Sequence, residues 1–124
     1  MIVALTEFQR RQKKMRKFML LYKGPAVDPT AMSSEERNEI MGEWNAWYAK
    51  YGNAITDAGS PFKPGASIKG DRTDGRPSGL TGYTVVEAAN MNAAKAMARR
   101  HPFLADGKAK FAIEIFELMP MPGA

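Results

Sequence analysis

The chain has 124 residues, of which 44% are apolar and 25% charged, with no cysteine and one histidine. That balance describes one globular domain with a core of its own, and it excludes disulfides, thiolate-held metals, thiol catalysis and histidine-rich metal sites. The net charge of +5 is concentrated before residue 18, where six basic side chains face one acid, Glu7; the remainder carries twelve basic and twelve acidic groups. A neutral domain gives no electrostatic reason to expect nucleic acid or membrane as a partner.

Residues 1–14 read as a basic N-terminal extension to a single domain over 15–124. Two readings compete for it: an arm that binds phosphates or anionic lipid, or a segment upstream of a natural start at Met15. No apolar run reaches the ~20 residues of a membrane span. The N-terminus also lacks the apolar core of a secretory signal, so the expected location is the cytoplasm.

Phe18 to Tyr22 is a short apolar run closed by Gly24-Pro25, which predicts a buried strand. Ser33 and Glu36 fit a capping box, and Ile40, Met41, Trp44, Trp47, Tyr48 and Tyr51 recur at helical spacing as one broad apolar face. Gly52-Asn53 ends that helix. Ala54 to Ala58 predicts a strand stopped by Gly59 and Pro61, and Gly65 to Lys69 a further short strand. Residues 70–79 are turn-rich, with Asp74-Gly75 as the expected hairpin tip.

Leu80 to Ala88 is again a strand. A helix follows from Ala89 or Asn90, with Met91, Ala94, Met97 and Ala98 inward and His101 one turn further on; Pro102 helps to end it. Phe111, Ile113 and Ile115 alternate with Ala112, Glu114 and Phe116 in a last strand, before a non-helical Met-Pro-Met-Pro-Gly-Ala tail. The order β-α-β-(β)-β-α-β, with right-handed crossovers, predicts an α+β ferredoxin-like βαββαβ sandwich: an antiparallel sheet with both helices on one face. The last strand is apolar on both sides, so a second copy of the chain is the expected cover for the open face.

Several stretches together resemble the YCII-related family, in particular its DGPF-domain branch. They are Lys17-Phe-Met-Leu-Leu-Tyr-Lys-Gly24, Tyr51-Gly-Asn-Ala-Ile-Thr-Asp-Ala-Gly-Ser-Pro-Phe62, Thr81-Gly-Tyr-Thr-Val-Val-Glu-Ala88, the helix end from Ala94 to Pro102, and Ile113-Glu-Ile-Phe-Glu-Leu118. The resemblance spans about residues 15–123. It implies a homodimeric α/β barrel of ferredoxin-like protomers, a superfamily that includes cofactor-free isomerases, a dehydrochlorinase and monooxygenases. The family's presumed acid–base pair, a histidine in the first helix and an aspartate beyond the second strand, has no counterpart here. Met41 or Gly42 falls at the first position, and no aspartate follows Pro61.

The candidate chemistry is correspondingly thin. His101 titrates closest to neutrality and could serve as a general base oriented by Asp57 or another carboxylate; alternatively its imidazole meets the last carbonyls of its helix. Asp57 stands among apolar neighbours in a strand, either lining a polar pocket or facing solvent or a partner. Tyr22, Trp44 and Tyr83 are the candidate ligand-binding residues, while the aromatic spacing of the first helix also suits a core. Thr81 to Ala88 matches an RNA-recognition signature only at Gly82, Tyr83 and Val86, and the Gly70–Arg76 segment lacks the ending of a phosphate loop. The expectation is a small-molecule-binding protein, with isomerase- or lyase-type acid–base chemistry and no cofactor or metal. The alternative is a non-enzymatic dimeric interaction module with a filled interior.

Overall fold

The computed structural model describes residues 15–25, 29–104 and 110–120. The predicted extension over 1–14 and the last four residues of the tail lie outside them. Strand β1, Arg16–Lys23, buries Phe18, Leu20 and Tyr22 on one face and leaves Met19 and Leu21 half-buried on the other. This is the period-2 alternation of a strand covered better on one side.

Helix α1, Ser34–Tyr51, starts at Ser33, whose hydroxyl accepts the Glu36 N–H at 3.1 Å. That hydroxyl also donates to the Glu36 carboxylate at 3.2 Å, so half of the predicted reciprocal box forms. Trp47 is the buried residue of α1. Ile40 and Met41, on the predicted apolar face, are exposed and line a cavity.

Strand β2, Ile55–Pro61, runs through Gly59 rather than stopping before it. Strands β3, Ser67–Ile68, and β4, Asp74–Gly75, form a small hairpin of their own. Asp74-Gly75 is therefore not the tip. The tip lies at residues 69–73, where the Asp71 carboxylate accepts the Thr73 N–H at 3.0 Å and its hydroxyl at 2.6 Å. This local side-chain turn leaves Arg72 in the left-handed region, at φ 71°.

Strand β5, Leu80–Ala88, is followed by helix α2, Met91–Arg99, whose Asn90 cap accepts the Ala93 N–H at 2.9 Å. Its inner face is Ala94, Met97 and Ala98, while Met91 is exposed. Strand β6, Ala112–Glu117, closes the fold.

The main sheet has the order β2-β5-β1-β6 with every pair antiparallel. Helices joining β1 to β2 and β5 to β6 across that order give the expected ferredoxin-like α+β sandwich. Phe18, Leu20, Val86 and Ala88 pack with Trp47, Ala94 and Met97 to form the core. The Trp47 indole N–H donates to the Met97 carbonyl at 3.0 Å and ties the two helices together. On the far side of the sheet, register aligns Val85 and Phe116 with Met19, and Phe116 is 54% exposed. No helix among the described residues is long and apolar enough to cross a membrane.

Candidate ligand site

Two irregularities in β2 shape the site. Ile55 pairs with Val86 and Asp57 with Val85, so Thr56 is an extra residue against β5. In a regular strand Ile55 and Asp57 would share a face, but the bulge turns Asp57 to the side away from the helices. There its carboxylate accepts the Tyr83 hydroxyl at 3.0 Å and the Gly59 N–H at 2.9 Å. The hydrogen bond to Asp57 raises the pKa of Tyr83, whose ring stacks on Phe62 at 5.9 Å.

A second bulge falls between Asp57 and Ser60 and places Gly59 at φ +80°. The Ala58 carbonyl there accepts the Thr84 hydroxyl at 3.1 Å and the Tyr48 hydroxyl at 3.4 Å.

His101 follows α2 and is 2% exposed. Its backbone N–H, not its imidazole, meets the Ala98 carbonyl at 3.0 Å. The ring turns inward and lies 4.4 Å from both Trp44 and Trp47, centroid to centroid. Its Nδ1 accepts the Phe103 N–H at 3.0 Å, which assigns the ring proton to Nε2. Nε2–H then donates to the Tyr22 hydroxyl at 3.0 Å, and Tyr22 donates to Thr84 Oγ1 at 2.7 Å. Thr84 in turn donates to Ala58, so the chain is satisfied from end to end and its polarity is fixed. Burial lowers the His101 pKa to about 4 and pushes the Tyr22 hydroxyl well above its usual range.

This arrangement does not suit a general base. Both imidazole nitrogens are engaged, the ring is walled by aromatics, and Asp57 lies on the opposite face of the sheet. The expected pairing of His101 with Asp57 is therefore not formed, because the Thr56 bulge reverses the aspartate.

In front of this chain lies a cavity of about 840 Å³ between α1, the β2–β5 edge and the segment after α2. Trp44, Tyr48, Tyr22, Phe103 and Phe111 supply aromatic wall, and Glu43 lines it as a carboxylate. Of the predicted site residues, Tyr22 and Trp44 line this cavity with their side chains, Tyr83 borders it on β5 with its side chain on the far face, and His101 stands behind Tyr22 and Trp44. Sequence reasoning missed Glu43 and Phe103. Nothing in its spacing distinguishes Glu43 from Glu35, Glu36 or Glu39, whereas the Pro102-Phe103 turn was a visible if unread signal.

No family model matches the chain, and no curated protein sequence matches it. Among solved structures, the chain is similar to a 5-chloro-2-hydroxyhydroquinone dehydrochlorinase from Burkholderia phenoliruptrix AC1100, in complex with 2,5-dihydroxybenzoquinone. The TM-score is 0.50 at 18% identity, over 83% of this chain and 93% of that one. It is also matched to a dimeric protein of unknown function and ferredoxin-like fold from Bacteroides fragilis NCTC 9343. That TM-score is 0.33 at 19% identity, covering 85% and 97% of the two chains. At 18% identity the likeness to the dehydrochlorinase is one of fold.

Proposed function

We propose that this chain is a YCII-related protein that binds a small organic molecule with a flat, mostly apolar body in the cavity beneath α1. The observation that carries the reading is the cavity itself. Its volume of about 840 Å³ falls within the usual range of ligand sites, and aromatic walls with few polar groups are their usual lining. The dehydrochlorinase of the same fold, in complex with a small ring compound, supports the class of ligand. Isomerase- or lyase-type catalysis by His101 and Asp57 draws no support from their geometry, so binding is the function favoured. The alternative of a non-enzymatic module with a filled interior is disfavoured by the same cavity.

Titration with 2-(2-naphthyl)ethanol, a neutral flat probe, tests this by calorimetry. Saturable binding is expected, and Trp44→Ala should weaken it about tenfold, the scale of one lost aromatic wall. A probe that fails to bind, or one whose affinity ignores Trp44, would overturn the assignment.

The same proposal includes a homodimer through the open sheet face, where Met19, Leu21, Val85 and Phe116 form an apolar surface. Phe116→Lys places a charge in that face and is expected to convert a dimer to a monomer in light scattering. A wild-type chain that is already monomeric at high micromolar concentration would remove this part of the proposal.

A further inference from the structure

Resting on the reading of the cavity as a ligand site, we propose that its occupant is an organic cation: a protonated amine on an apolar or aromatic body. The cavity's hydroxyls decide this. On the cavity's side of the sheet three lining residues carry one: Tyr22, Tyr48 and Thr84. Every one of these protons already has a protein acceptor. Tyr22 donates to Thr84, and Thr84 and Tyr48 donate to the Ala58 carbonyl.

What these groups still offer a ligand is lone pairs. Among the described lining residues the Asn45 amide and the Trp44 indole N–H are the remaining side-chain donors, and none is Lys, Arg or His. The ionic group is Glu43, with which no described cation forms an ion pair. The rings of Trp44 and Tyr48, 6.1 Å apart, stand on the same helix one and five residues further along. A wall of acceptors, π faces and one carboxylate attracts a positive, hydrogen-donating head and repels an anion, which would find no counter-charge. This commitment follows from the bulged Ala58 carbonyl, which accepts two of the hydroxyls, and from the buried His101, whose Nε2–H donates to Tyr22 and turns the Tyr22 proton toward Thr84.

Three matched probes test this by calorimetry: 2-(2-naphthyl)ethylammonium, 2-(2-naphthyl)ethanol and 2-naphthylacetate. The ammonium is expected to bind at least tenfold more tightly than the acetate and several-fold more tightly than the alcohol. Glu43→Gln should remove most of the preference for ammonium over alcohol. Asn45→Asp, which adds a second carboxylate, should increase the preference. If the acetate binds as well as the ammonium, or the preference survives Glu43→Gln unchanged, the cation proposal is overturned while the ligand site stands. If none of the three probes binds, the ligand-site reading falls with it.

Discussion

Replacing His101 with alanine is expected to lower the unfolding free energy at neutral pH by about 3 kcal/mol, the usual scale for truncating a large buried side chain. The ring fills space between Tyr22, Trp44 and Trp47, and it accepts the Phe103 N–H and donates to Tyr22. The same residue gives the protein an acid limb. In the fold its pKa is lowered from an ordinary 6.5 to about 4 by burial. As the pH falls from 6.5, the unfolded chain takes up a proton that the folded chain refuses, so stability declines until about pH 4 and this contribution then levels off. The loss over that window is about 3 kcal/mol. Urea unfolding followed by circular dichroism at pH 7 and pH 5 measures both effects. His101→Phe keeps most of the packing and should cost less at pH 7 than the alanine variant. Both variants should show a flatter acid limb than the wild type. An acid limb of unchanged slope in His101→Phe would show that another group carries it.

Gly59→Ala is expected to be the most damaging single methyl group in the domain. Gly59 sits at φ +80°, and an added Cβ would come within 1.6 Å of the Tyr83 carbonyl oxygen. That oxygen belongs to the backbone of β5 and cannot swing away, so the second bulge of β2 has to open. Left-handed strain and the clash together should cost about 3 kcal/mol or more. The Ala58 carbonyl would also lose its place as acceptor for Thr84 and Tyr48, so probe binding should fall with stability. Gly42→Ala is the natural control. A Cβ there meets nothing within 4 Å and lies inside α1, so it should stabilise by about 0.5–1 kcal/mol. Thermal unfolding of the two variants should therefore move in opposite directions. Equal behaviour would mean that β2 tolerates a regular conformation at Gly59.

Much of the fold is legible residue by residue. Ser33 and Asn90 cap their helices as oxygen acceptors, Leu80–Ala88 and Arg16–Lys23 alternate as strands, and Ala94, Met97 and Ala98 mark an inner face. These signals are local: a cap, a period of two and a spacing of three or four reside in neighbouring side chains. The same spacing put His101 on the inner side of its helix, one turn beyond Met97 and Ala98, and the structure buries it there.

The candidate site was far less legible. The sequence left Asp57 open between a pocket and the outer face because the Thr56 bulge that places it exists only in pairing with β5. Asp74-Gly75 looked like a hairpin tip because Asp71, not the Asp-Gly step, closes the turn. Ile40 and Met41 share the apolar face of α1 yet open onto the cavity, because helical periodicity names a face without saying whether sheet or open space lies opposite. The sequence by itself determined the ferredoxin-like scaffold, its caps and the aromatic content of α1, since each depends on near neighbours along the chain. Only the tertiary structure decided which face Asp57 takes, that His101 is held neutral, and that the cavity hydroxyls have their protons committed. Those outcomes depend on which backbone acceptor lies across a strand or beneath a helix, and no spacing in the chain encodes that.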